Sequence, residues 1–180
     1  MALFMRGWNN RRIAGVTVSL IFGLTAMHSV HADELPKESL LPLSAANRVV
    51  QAALEACKKD GYRVAVSVVD RAGVLRAMGR ADGAGPHTVD SSRKKAYTAA
   101  SMRRPTSESA DLITKVPALE ALRDINDNIL ILGGGLPIEV GGDVVGGVGV
   151  GGAPGAHLDD ACAKAGLDAI GAAPKVPAPK

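Results

Sequence analysis

One histidine stands where an unprotonated imidazole would be most useful. His87 lies in Gly83-Ala84-Gly85-Pro86-His87-Thr88, at or just before the first turn of an Ala-rich segment predicted to be a helix. There the positive end of the helix dipole favours the neutral ring, which keeps a nitrogen lone pair free for a metal. A neutral imidazole is what a porphyrin iron takes as an axial ligand. A capping or merely exposed histidine is the plainer alternative. Behind it Arg93, Lys94, Lys95, Arg103 and Arg104 form a cationic run able to neutralise two propionates, and most of these also suit a solvated flank. Tyr97, ten residues past His87, returns near the same face after almost three turns, to flank a flat ligand or to pack in a core. The other histidine outside the leader, His157, opens the last predicted helix beside Asp159 and Asp160 and reads as exposed.

Other chemistries find less support. There is no Gly-x-Ser-x-Gly elbow and no His-Glu-x-x-His, and Ser91-Ser92-Arg93-Lys94 lacks the companions of a Ser-x-x-Lys site, so no catalytic residue is assigned. Gly147-Val148-Gly149-Val150-Gly151-Gly152 matches a dinucleotide fingerprint between a strand and a helix. A nucleotide fold needs a further parallel strand and a later acid, and here the helix runs into the tail. These glycines read instead as close strand-to-helix packing. Cys57 and Cys162 each sit on the apolar face of a predicted helix, which favours buried thiols; a disulfide between the two helices is the alternative.

The chain has 180 residues, a net charge of +3 and a pI near 9.0, but that charge is unevenly placed. Residues 1–32 hold Arg6, Arg11 and Arg12 and no acid; removing these three from the 21 basic residues leaves 18, matching the 18 acidic ones. A neutral remainder argues against nucleic-acid binding. Trp8, Phe4 and Phe22 also lie in this leader, so Tyr62 and Tyr97 are the only aromatics after it, too few to stack bases. Residues 1–32 read as a signal peptide: a basic start, an apolar run from Ile13 to about Met27, and Val30-His31-Ala32 before a cut at Asp33. The apolar run is shorter than the ~20 residues that span a bilayer, so no membrane association is expected after cleavage; an uncleaved anchor is the alternative. The expected location is periplasmic or secreted.

Positioning these residues requires a mixed fold. Residues 33–42 read as an exposed arm. A helix is predicted from Ser44, as N-cap, to about Asp60, with Ala46, Val49, Val50, Ala53, Leu54 and Cys57 on one face and Gly61 as the stop. Residues 63–69 and 74–80 read as a hairpin. A helix over residues 86–102 carries Val89, Ser92, Arg93, Ala96 and Ala100 on one stripe, a small face suited to close packing. Thr106 is expected to cap a shorter helix, and Val116-Pro117 interrupts it. Residues 129–132, 136–140 and 144–150 read as three strands, residues 154–171 as a closing helix, and the Pro/Ala/Lys tail after it as disordered. The expectation is an α/β (α+β) domain over 43–172, an antiparallel sheet of five strands flanked by helices. Its thin Ala/Val/Gly core favours a homo-oligomer.

Several ordered segments resemble the GlcG/HbpS-type haem-binding (haem-degrading) family, which includes the C-terminal domain of PduO-type proteins. They are Val66-Ser67-Val68-Val69-Asp70-Arg71-Ala72-Gly73, Gly85-Pro86-His87-Thr88 with Arg93 to Ala99, Arg104-Pro105-Thr106, Gly133 to Ile138, and Val144 to Gly152 leading to Asp159-Asp160-Ala161-Cys162-Ala163. The resemblance implies a profilin-like fold, higher oligomers, and haem as ligand in some members. The expected function is exported haem binding, for storage, scavenging or sensing, with the sensor or transport partner unidentified. His87 is the expected axial ligand, Arg93, Lys94 and Arg104 the propionate partners, and Tyr97 and Met102 contacts to the porphyrin. Two alternatives accompany it: haem breakdown or weak peroxidase activity on the same site, and a small-organic-acid-binding or scaffold subunit tied to glycolate or diol metabolism.

Overall fold

Four strands pair edge to edge without a parallel neighbour, as their tight turns dictate. In this computed structural model, which describes residues 37–172, β1 (Ala65–Asp70) and β2 (Leu75–Arg80) form one hairpin, and β3 (Gly135–Val140) and β4 (Asp143–Gly151) the other. The order is β2-β1-β4-β3, so β1 and β4 are central and join the hairpins antiparallel, with Ser67 opposite Gly149 and Val69 opposite Gly147. The leader, residues 33–36 of the arm and the tail after Ala172 lie outside the described residues; of the rest of the arm, residues 37–40 and Pro42 are exposed as expected, but Leu41 is buried in the main core.

Period-two alternation sorts the sheet into two faces. Val66, Val68, Val148 and Val150 turn to one side, where they are buried with α1 (Leu43–Lys59) and α4 (Ala156–Asp168). Ser67 and Val69 turn to the other, against α2 (His87–Met102). The glycines of β4 make that second contact possible. A Cβ at Gly147 would run into the Ala96 carbonyl, and one at Gly149 into the Ser92 carbonyl and, at 2.5 Å, the Ala96 nitrogen. The small stripe of α2 therefore packs on β4 backbone, the close packing expected of these glycines. The stripe is turned slightly from expectation: Thr88, Ser92, Lys95, Ala96, Ala99 and Ala100 are buried, whereas Val89 and Arg93 are only half-buried.

Three expectations are corrected. Residues 129–132 form no strand, leaving four strands among the described residues rather than five. Their amides are taken locally: Ile129 donates to the Asn126 carbonyl, Leu130 to Thr98 Oγ1 at 2.8 Å, and Leu132 to the Leu130 carbonyl. Ile129 and Ile131 are still buried, with Ile113 of α3 (Thr106–Lys115), so the run is apolar because it covers α2 and α3, not because it extends the sheet. Cys57 and Cys162 are bonded to each other, tying α1 to α4 across 105 residues, instead of lying as free thiols. Neither Ser44 nor Thr106 caps a helix; the helices begin at Leu43 and Thr106 after Pro42 and Pro105, and Thr106 Oγ1 instead accepts the Gly135 amide at 2.9 Å.

Candidate functional site

The residues singled out for chemistry lie along the outward face of α2 and beyond its end. Heptad-like spacing puts His87, Asp90, Lys94, Tyr97 and Ser101 on one stripe opposite the buried one. His87 is the first helical residue, exposed, with its ring turned back over Gly85; a Cβ there would meet His87 Cε1 at 2.7 Å. Its ring is in no hydrogen bond or ion pair among the described residues. Arg93 and Lys94 converge on Asp90, at 3.0 and 3.5 Å, and Arg93 also donates to Asn128 Oδ1 at 2.8 Å. The Arg93 hydrogen bond above all holds the Asp90 carboxyl below the usual carboxylate range; burial opposes it, and Lys94 adds to the lowering.

Tyr97 is half-buried. Its ring fills the space above Gly73, and it packs beside Ile113, Ile129 and Ile131. Met102 is half-buried on the same small core, its sulfur accepting from Ser109. Arg104 is exposed past the end of α2, after Arg103 has turned the chain with a left-handed φ of 54°. Ten helical residues rise ~15 Å, so His87 and Tyr97 lie at different levels, and Arg104 is farther still. The chain groups His87, Asp90, Arg93 and Lys94 in the first turns of α2 and leaves Tyr97, Met102 and Arg104 towards the far end.

A second polar centre lies on the buried side of the same helix. Lys95, read above as one of a cationic run, is only 2% exposed, and its Nζ donates to Asp159 Oδ2 at 2.8 Å and to the Val150 carbonyl at 2.9 Å. Asp159 Oδ1 accepts the Ala153 amide, and Asp160 Oδ1 accepts the Gly134 amide. Gly134 leaves room for this pair: a Cβ there would stand 2.7 Å from Asp159 Cβ and 2.8 Å from Lys95 Nζ. Desolvation raises the Asp160 carboxyl above its ordinary value, against the pull of the Gly134 amide, the Ser107 hydroxyl and the Lys95 ammonium. Asp160 lines a cavity of about 260 Å³ with Ser107, Glu108 and His157. The signal for Lys95 was in the spacing: it stands three residues after Ser92 and four before Ala99, on the inner stripe.

The fold and these motifs have relatives. The HbpS-like family, described as haem degrading proteins, matches residues 41–168. A double mutant of HbpS from Streptomyces reticuli is 39% identical and superposes with a TM-score of 0.72 over 87% of this chain and 98% of that one. A PduOC:haem complex is 27% identical, with a TM-score of 0.68 over 73% of this chain and 96% of that one. GlcG of Escherichia coli K12 is 32% identical over 111 residues, 62% of this chain and 81% of that protein. The mixed α/β fold, an antiparallel sheet flanked by helices, is thus shared with these solved structures, and the chain belongs to the HbpS-like family.

Proposed function

We propose that the protein binds haem on the outward face of α2, as an exported protein that stores, scavenges or senses it. The observation that carries this is His87: an exposed imidazole with no protein partner among the described residues, at the amino end of a helix whose next turns hold Arg93 and Lys94. These residues fit the group. The imidazole would hold the iron, and the two cations share a single carboxylate, Asp90, which leaves positive charge for propionates. The haem complex of a relative supports the same ligand class. The cavities of about 260 and 580 Å³ are lined by other residues, so porphyrin at His87 lies on an open face, and a second copy of the chain covers it. The signal peptide reading of residues 1–32 puts that assembly in the periplasm or outside the cell. When bound, the iron supplies redox chemistry; the chain supplies ligation, charge balance and, in the assembly, exclusion of water.

Titration of hemin into the purified protein and into His87→Ala tests this. The parent is expected to shift the Soret band at stoichiometric hemin, and the variant to shift it less or to a different maximum. An unshifted band with the parent overturns the haem reading; an identical response in the variant removes only the ligand.

A further inference from the structure

We propose that the groove at the β2 edge of the sheet is a binding site for a small organic oxyanion carried on an apolar body. The groove lies between the second half of α1 and the turn leading from β2 towards α2, and it encloses about 580 Å³. That falls within the ~300–1,000 Å³ usual for small-molecule sites. Leu54 and Tyr62, both half-buried and packed on the main core, give it a fixed apolar wall. Lys58, Arg63 and Arg80 line the same space, and none is in an ion pair among the described residues, in contrast to Arg93 and Lys94. Two acids, Glu55 and Asp82, also line it, so the lining carries one net positive charge.

Arg63 is exposed, with its head lying over Gly83. Gly83, with a φ of +78°, leaves the room its head occupies: a Cβ there would meet Arg63 Nη1 at 3.0 Å and Cδ at 3.1 Å. Two guanidinium forks beside an aromatic ring suit an oxyanion on a flat or aliphatic body. The site does not depend on haem. It lies on the α1 side of the sheet, where Gly79 meets Leu54, whereas His87 begins the helix of the opposite face.

Calorimetric titration of the full chain with phenylacetate, phenyl phosphate and phenethylammonium provides the test. At least one anion is expected to saturate, the tighter of the two naming the oxyanion, while the cation with the same ring does not bind. Arg63→Met/Arg80→Met is expected to weaken the anion by about tenfold or more, the loss of a charge-assisted hydrogen bond. The single variant Arg80→Gln shows the same direction should the double one fold poorly. Absence of binding by both anions at millimolar concentration, equal binding of the cation, or undiminished binding in the folded variants overturns the proposal.

Discussion

Lys94 and Lys95 are neighbours in the chain and opposites in the molecule. Lys94 reaches across the solvated side of α2 to Asp90 at 3.5 Å; Lys95 is sealed beneath the helix against Asp159 at 2.8 Å. The contrast extends along the whole helix. Its inner face, Ser92, Lys95, Ala96 and Ala99, is decided by space, because β4 offers glycine backbone and nothing larger fits. Its outer face is packed only towards the far end, where Tyr97 joins a small core; His87, Asp90 and Lys94 are constrained by little except chemistry. The inner face makes the fold, and the outer one is free to bind.

The hardest break of that contrast is Gly149→Ala. The added methyl collides with the Ser92 carbonyl and the Ala96 nitrogen, both backbone, so the neighbours cannot swing aside. A loss of about 4 kcal/mol or more is expected, enough to abolish a cooperative transition in denaturant followed by circular dichroism. Retention of the parental midpoint would mean that α2 does not rest on β4 as described.

Lys95→Met comes next. It leaves Asp159 buried with one amide partner and no cation, a situation that costs about 3–5 kcal/mol. Lys95→Met/Asp159→Leu, which removes both charges, is expected to recover much of that loss. If the single variant unfolds at the parental denaturant concentration, the pair is hydrated rather than sealed.

These two faces also explain what could be read before the structure. The two hairpins, the four main helices and the packing role of the β4 glycines follow from period, turn chemistry and the missing second half of the nucleotide fingerprint. Residues 129–132 misled because an apolar run reports burial, and burial against α2 and α3 looks the same in sequence as burial in a sheet. Cys57 and Cys162 misled for a related reason: helix spacing places each thiol on an apolar face but says nothing of which helices meet. Lys95 was hidden by its company, since a run of basic residues reads as solvated unless the helical angle of each is taken separately. Of the site, His87 with Arg93 and Lys94 was legible as a local cluster. The spread of Tyr97, Met102 and Arg104 away from it was not, because a list of residues on one helix carries no axial distance.

A smaller effect separates Asp160 from its neighbour Asp159. Burial raises the Asp160 carboxyl, so its ionised form is less favoured in the folded chain than in the unfolded one. The resulting penalty is absent at pH below the unfolded value near 3.8, grows as pH rises through it, and is complete above the folded value. Asp160→Asn mimics the neutral form and keeps an acceptor for the Gly134 amide. The difference in thermal midpoint, variant minus parent, is therefore expected to become more positive as the pH rises from 3.5 to 7. A difference that is flat across the range, or that falls, removes the buried-acid account.

The smallest stability effect is expected on the outer face, and it is the one that binds the comparison to function. Lys94→Met breaks an exposed pair whose partner Asp90 keeps Arg93, so stability should change by about 0.5 kcal/mol or less. Arg93 is the first cause of the lowered Asp90 carboxyl and remains in the variant. Hemin affinity should nonetheless fall about two- to fivefold, the worth of one exposed ionic contact to a propionate. The same measurement on Lys95→Met, wherever it remains folded, should show the reverse: a large stability loss and a parental hemin affinity per folded molecule. Should Lys94→Met instead lower stability as Lys95→Met does, the outer stripe is structural too, and haem must be sought away from it.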